Sequence, residues 1–295
     1  MPSFRLFLLT SLLLPASLAQ NLVLRDLPYA YDALEPYFDE ATMRLHHLGH
    51  HAGYVTKANE ALAVLRAEPS TKELAKSGLD AVLLRLAEVP EPQRTALRNA
   101  GGGVLNHDLF FHQLRAPAES GGTGGVFRAS SSVGAAILRR WGSFTLFSEF
   151  FTSATLNVFG SGWVWLELDM RGVVDDGAIA SLNIVTTANQ DSLAMERGRV
   201  PLIALDLWEH AYYLRYNRSR EAYLDAFWHV LDWASVEMRF IKGEASGEGA
   251  GVEQESSEGE EEPATMESNE GGDEESNNVG ESDAMESDGY AQDEL

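Results

Sequence analysis

Hydrophobic and polar positions divide the chain into three regimes. After a proline-punctuated, extended lead-in from Leu27 to Pro36, Asp39 is placed to cap a helix, and Glu40 in the first turn suits the positive end of its dipole. No proline follows until after Glu68, so the pattern predicts one long helix. A second helical stretch is predicted over Thr71 to Ala87. A third opens at Pro92, a favoured first-turn residue, and runs towards Leu114. Together these form an antiparallel helical unit. The glycine-rich Gly121–Gly125 reads as a hinge into a different second half. There, helical patterns around Ser131–Trp141 and Phe144–Phe151 give way to predicted strands at Val164–Met170 and Ser181–Thr187. Another apolar run, Val200–Leu205, leads into Asp206. A last helix is predicted from Arg220 to Arg239, with Tyr223, Phe227, Val230, Leu231 and Trp233 among its apolar positions. The fold class is α+β.

Beyond Lys242 the composition turns to Glu, Ser, Gly, Asp and Asn, which cannot bury enough apolar area to offset the entropy of ordering. Residues 243–295 are therefore expected to be a disordered acidic tail. The organisation that follows is a leader at 1–19, a helical domain at 20–118, an α/β domain at 126–242 and the tail. The leader reads as a secretory signal peptide: Arg5 provides the positive start, Leu6–Leu14 the apolar run and Ser17-Leu18-Ala19 a small-x-small cleavage site. That apolar run is too short to span a bilayer, so no membrane span is expected.

Charge changes the picture in one respect. The formal charge of the 295 residues is −23, but 19 acidic residues and no Lys or Arg lie from Glu244 to Leu295, leaving the body at −4. Without concentrated Lys and Arg, nucleic acid is not an expected partner. The absence of cysteine excludes disulfides, thiolate nucleophiles, iron–sulfur clusters and cysteine-held zinc.

The candidate chemistry lies in the histidines. His46, His50 and Tyr54 are spaced i, i+4, i+8 and share one face of the first helix. A helical His-x-x-x-His serves either as a metal pair or as a packed, hydrogen-bonded pair. Asp206 at a predicted strand end, His210 four residues on, and His107 one turn beyond Gly101-Gly102-Gly103 complete a set of three imidazoles and one carboxylate. Such a set suits a first-row transition metal with an open position. Three consecutive glycines cost a helix stability, so something is expected to approach that backbone closely. The remaining histidines, His47, His51, His112 and His229, are expected to be packing or surface groups, and Trp141, Trp228 and Trp233 core.

Larger motifs surround these residues. They are Leu27-Pro28-Tyr29 with Leu34-Glu35-Pro36, the double-histidine helix ending in Tyr54-Val55, Gly103–Phe110, Phe159-Gly160-Ser161-Gly162-Trp163, Ala188-Asn189-Gln190-Asp191, and Asp206-Leu207-Trp208-Glu209-His210-Ala211-Tyr212-Tyr213. In this order they resemble the iron/manganese superoxide dismutases, over about residues 25 to 240. The resemblance implies an N-terminal helical hairpin domain, a C-terminal α/β domain with a small antiparallel sheet, and a metal site between them. It implies that His46, His107, Asp206 and His210 are the metal ligands, with solvent as the fifth. His50 and Tyr54 would form the gateway for superoxide, and Gln190 would be the amide that hydrogen-bonds the solvent. Trp163 and Trp208 would line the site. Glu209 would reach His210 of the partner subunit in a homodimer or homotetramer, and Tyr213 would meet His50 across the same interface.

Metal choice follows from two positions. The manganese-type pattern has the glutamine after Ala-Asn, as at Gln190, and a glycine four residues before the second histidine, as at Gly103; iron-type relatives place the glutamine where Gly103 stands. Manganese is thus implied, with iron as the alternative. Gly49, Val104 and Phe111 depart from the frequent Lys, His and Trp of the family, which bears on rate and packing but not on ligation. The alternative function is a superoxide-dismutase-like protein that binds metal or serves structure without catalysis. At the other end of the chain, Gln292-Asp293-Glu294-Leu295 resembles a K-D-E-L retrieval signal, and the tail reads equally as a plain solubilising extension. Asn217-Arg218-Ser219 is a glycosylation sequon.

Overall fold

The computed structural model describes residues 21–174 and 177–248. The leader and the tail beyond 248 lie outside the described residues. The predicted first helix is one helical rod in three parts: α1 (Glu40–Arg44), a π-helical segment (Leu45–His51) and α2 (Ala52–Ala67). Asp39 caps it as expected, its Oδ1 accepting from Thr42 N at 2.8 Å. The second stretch is interrupted. It gives α3 (Lys72–Lys76), α4 (Leu79–Leu84) and a 3-10 turn (Leu86–Glu88), because Gly78 sits at φ +94°, outside any helix. The third rod repeats the design of the first: α5 (Gln93–Ala96), a π-helical segment (Leu97–Gly101) and α6 (Gly102–His112).

The second half begins with α7 (Ser132–Trp141) and α8 (Phe144–Leu156), each started by a serine whose side chain accepts from the backbone three residues on. Three strands follow, β1 (Gly162–Val174), β2 (Gly177–Ala188) and β3 (Arg199–Asp206), in the order β2-β1-β3 and antiparallel throughout. Central β1 is buried along Trp163–Leu168. The register sets Trp163 opposite Asp206 on one side and Thr187 on the other. A short α9 (Tyr213–Tyr216) then leads into the last two helices.

Two predicted boundaries need correction. The last helix is not continuous over 220–239. It is α10 (Arg220–Val230) and α11 (Trp233–Glu248), parted where Leu231 turns extended and pairs with Leu114, and where Asp232 N donates to Gln113 O at 2.8 Å. The tail, in turn, does not begin at 243. Gly243 is buried, and a Cβ there would stand 3.0 Å from Leu168 and 3.2 Å from Val200, so the helix runs on over the sheet.

Among the described residues, the buried apolar ones fall into two clusters. The smaller one lies within the helical hairpin, around Ala58, Leu62, Leu65, Val82, Leu83, Leu97 and Val104. The larger joins Leu34, Phe38, Met43, Phe110 and Phe111 to the sheet and the later helices. The first π segment, α6, the turn after β2 and the end of β3 supply the buried polar residues His46, Asn106, His107, Gln190 and Asp206. Among the described residues, no helix is long and apolar enough to cross a membrane.

Candidate metal centre

Four elements bring the four sequence-predicted ligands together. His46 comes from the first π segment, His107 from α6, Asp206 from the last residue of β3, and His210 from a 3-10 turn (Glu209–Ala211) just after it. Their ligating atoms all lie within 4.8 Å of one another, a grouping found for no other set of three or more His, Cys, Asp or Glu among the described residues. The Nε2 atoms of His46, His107 and His210 stand 3.1, 3.5 and 3.2 Å from one oxygen, Asp206 Oδ2. Asp206 Oδ1 accepts from Trp208 N at 2.9 Å, which turns Oδ2 inward.

The donor set fits a metal ion. His46 and Asp206 are 1% and 0% exposed and His107 is 0%, yet the Nε2 atoms of His46 and His107 have no hydrogen-bond partner among the described residues. Buried polar atoms without partners are costly, and here they converge at separations that bonds of about 2.0–2.2 Å can span. The tautomer is right as well: His107 Nδ1 lies 2.7 Å from Gly103 O, so it must carry the proton and leave Nε2 a free lone pair. Burial lowers His46 to about 4 and pushes His107 well below its ordinary value, so both are neutral near pH 7. Burial pushes Asp206 up, but the close approach of the His210 and His46 rings outweighs it and holds the carboxyl below the usual carboxylate range. Neutral imidazoles and an ionised carboxylate are the protonation states that metal binding requires.

The ring around these atoms explains the glycines. A Cβ on Gly103 would stand 2.6 Å from the ring of Tyr54, one on Gly102 2.1 Å from Gln190 O, and one on Gly101 3.0 Å from Leu79. The expected close approach is therefore real. Its partners are Tyr54 and Gln190. Gln190 Nε2 donates to Tyr54 OH at 3.1 Å, and Gln190 Oε1 accepts from Trp163 Nε1 at 3.1 Å. Burial raises Tyr54 to about 12, the charge of Asp206 adding to the effect. His50 stacks on His210 with ring centroids 3.9 Å apart, and Trp208 also stacks on His210, at 5.8 Å, its Nε1 donating to Asn189 O. Burial, with the nearby His210 ring, lowers His50. Trp163 meets His107 edge-on at 5.2 Å.

Glu209 and Tyr213 point elsewhere within this chain. Glu209 Oε2 accepts from Ser161 Oγ at 2.7 Å and Tyr213 is 48% exposed. One residue that the sequence reasoning passed over belongs to the site. Asn106, 1% exposed, donates from Nδ2 to Gln190 O at 3.2 Å and to Gln190 Oε1 and Asp191 O at 3.4 Å. A polar residue on the buried side of a helix, next to a candidate ligand, was the available signal. Of the histidines expected to be bland, His47 is tied to Tyr31 OH and Arg25 O, both at 2.9 Å. His51 is 1% exposed with neither ring nitrogen hydrogen-bonded to a side chain, 3.5 Å from Asp108.

Comparison with known proteins agrees with this geometry. Residues 21–115 match the iron/manganese superoxide dismutase alpha-hairpin domain, and residues 129–239 match the C-terminal domain of the same family. The chain is 44% identical over 217 residues to a superoxide dismutase [Mn] of Listeria monocytogenes, covering 74% of this chain and 96% of that one. It is 42% identical over 222 residues to superoxide dismutase [Mn] 1 of Leptolyngbya boryana, covering 75% and 81%. The two domain matches, the identity across both, and the three imidazoles gathered on Asp206 lead to one conclusion: this chain belongs to the iron/manganese superoxide dismutase family.

Proposed function

We propose that the protein disproportionates superoxide, converting two superoxide ions and two protons into dioxygen and hydrogen peroxide, with manganese held by His46, His107, Asp206 and His210. The observation that carries this reading is the convergence of three imidazole Nε2 atoms on Asp206 Oδ2, at 3.1 to 3.5 Å, with His46, His107 and Asp206 buried and His210 10% exposed. When bound, the ion would take an electron from one superoxide and return it to the next.

The chain's own residues would manage protons and access. Tyr54 keeps its hydroxyl proton at neutral pH, so its O–H can donate towards a peroxide leaving the site. Gln190 is braced at its carbonyl by Trp163 and Asn106, which leaves its amide N–H groups for Tyr54 and for solvent in the site. Trp163 and Phe110 press on the ligands from the larger core and exclude bulk water. His50, packed flat on His210, is half-buried and would stand with Tyr54 at the approach used by superoxide.

Manganese is favoured over iron by the space at Gly103. The Tyr54 ring already fills the volume that any side chain there would need, so a glutamine could serve the site only from position 190. The relatives named above carry manganese in their names. We also propose a homodimer or homotetramer in which Glu209 reaches His210 of the partner subunit and Tyr213 meets the partner's His50. The exposed Phe159, at 103%, and Leu214, at 62%, would be covered there. The leader and the K-D-E-L-like end support a secretory route, with release or retention in the endoplasmic reticulum lumen. Deleting Gln292–Leu295 should increase release if retrieval operates.

One purified sample decides the main point. Metal content and superoxide decay measured together should show manganese near one per chain and activity proportional to it. A fully loaded but inactive protein would instead support the non-catalytic alternative. In the same assay Gln190→Ala should lower turnover while sparing metal content, and unchanged turnover would remove its assigned role.

A further inference from the structure

Gln190 and Tyr54 come from different halves of the protein. Tyr54 is on α2, whereas Gln190 sits in the turn that leaves β2. Their 3.1 Å hydrogen bond therefore depends on where that turn is held relative to the helical hairpin. Within its own half the turn is well made. Asn189 takes a left-handed φ of 54°, Asp191 N donates to Ala188 O at 3.1 Å, and Thr187 Oγ1 donates to Asp191 O at 2.7 Å. These bonds shape the turn but do not place it against the hairpin.

Besides the Gln190–Tyr54 bond itself and the packing of Met195 on the hairpin's apolar cluster, three contacts tie residues 190–191 to the hairpin. Gly102 lets the helix backbone approach Gln190 O, which sets a limit of closeness but supplies no attraction. Asn106 Nδ2 is shared among three acceptors, all at 3.2 Å or more. The third contact is the tight one. Arg98 Nε and Nη2 donate to Asp191 Oδ1 and Oδ2 at 2.6 and 2.7 Å, fork to fork, in the residue directly after Gln190. Arg98 lies on the π segment Leu97–Gly101, which runs straight into the Gly102 contact.

We infer that the Arg98–Asp191 pair is a positioning clamp that fixes the Gln190 turn on the helical hairpin and so sets the Gln190–Tyr54 hydrogen bond. This inference rests on the reading of Gln190 and Tyr54 as working groups of the site. The side chains are 59% and 28% exposed, so the pair contributes little to folding stability. Its value is geometric: a bidentate guanidinium–carboxylate contact fixes direction as well as distance. A lysine could keep the charge but not the two-point register.

The test uses the metal-loaded protein with Arg98→Met, Arg98→Lys and the exchange Arg98→Asp with Asp191→Arg. Four readouts are needed: metal content, melting temperature, turnover per bound metal, and the position of residues 189–191 in a crystal structure of the Arg98→Met protein. The clamp predicts that Arg98→Met lowers turnover about two- to twelvefold, the effect of one lost hydrogen bond. Metal content should be unchanged and the melting temperature should shift by no more than about 2 °C. In the crystal the 189–191 turn should be displaced or spread, with the Gln190–Tyr54 separation beyond hydrogen-bond range. Lysine should restore turnover in part and the exchange should restore more. A turn that stays in place overturns the clamp, as does a displaced turn with wild-type turnover. A large fall in melting temperature together with metal loss would mark Arg98 as merely structural. Should the wild-type protein prove inactive, the functional reading fails by itself, while the crystallographic readout still tests the clamp.

Discussion

Replacing Gly103 with alanine adds one methyl group at the point where the helical hairpin, the tyrosine and the glutamine meet. That Cβ would lie 2.6 Å from Tyr54 Cγ and Cδ1 and 2.9 Å from Cδ2. Carbon atoms in ordinary contact are about 3.5–4.0 Å apart, so the ring must withdraw by roughly 1 Å. It has little freedom to do so while keeping its hydroxyl in place. The bond from Gln190 starts at 3.1 Å, and a movement of that size takes it out of hydrogen-bond range. Two effects on stability oppose each other. Alanine in a helix gains about 1 kcal/mol over glycine, and overpacking costs about 1–3 kcal/mol. The net is a loss of up to about 2 kcal/mol, a fall in melting temperature of up to roughly 8 °C for a domain of this size. Losing a hydrogen bond of about 0.5–1.5 kcal/mol should lower turnover by roughly two- to twelvefold. Stopped-flow decay of superoxide, normalised to bound metal, measures the second effect, and a crystal structure measures the ring. Gly49→Ala is the matched control: its Cβ would meet only Leu45 Cδ1, at 3.5 Å, and it should be tolerated or stabilising. If Gly103→Ala keeps full turnover with Tyr54 unmoved, the packing argument for the glycines is wrong.

Two further substitutions test other buried groups. Burial pushes the Asp108 carboxyl up to about 6, and its Oδ1 has no hydrogen-bond partner among the described residues. Between about pH 4 and pH 6 the unfolded chain ionises this group before the folded one does, so the folded state binds more protons and stability falls as pH rises. Above that window the cost is constant and at most about 3 kcal/mol. Asp108→Asn should therefore melt higher than the parent at pH 7.5, with the gap closing by pH 4, and equal gaps at both pH values would refute the assignment. Tyr223 is fully buried, and its hydroxyl has no partner among the described residues. Tyr223→Phe should leave urea-unfolding stability equal or raise it by about 1 kcal/mol; a loss of that size would mean the hydroxyl is in fact satisfied.

Much of the molecule is legible in the sequence because its local rules agree with its fold. The Asp39 cap, the proline-free run to Glu68, the strands around Trp163 and Asp206, and the four candidate ligands can all be placed from patterns of residues. The misplaced boundaries have local causes that a hydropathy pattern does not register. Gly78 leaves the helical region, and Asp232 starts a new helix by accepting from Ala234 N at 3.2 Å, within a run that otherwise keeps its apolar spacing. The two π segments are invisible for the same reason. Each adds a residue to a turn without changing which residues are apolar, yet one carries His46 and His50 and the other carries Arg98 and Gly101.

The π segments also account for the arrangement of the site. In a regular helix His46 and His50 would lie one above the other on one face, and both would compete for the same small volume. In the widened turn, the His46 ring meets His107 and His210 at 4.9 and 4.7 Å, while His50 lies flat against His210 at 3.9 Å. One histidine of the pair thus faces the other ligands and the other covers the outermost of them. The second π segment does comparable work on the opposite rod. It delivers Arg98 to Asp191 and, one turn later, the glycine backbone to Tyr54 and Gln190. The ligands come from residue identity alone, whereas the spacing between the gateway and the glutamine depends on two local departures from helix geometry. Isolated π turns recur at functional sites because an extra residue re-aims a side chain at a cost in backbone regularity. Among the described residues that cost is placed twice, once in the rod that carries His46 and once in the rod that carries His107.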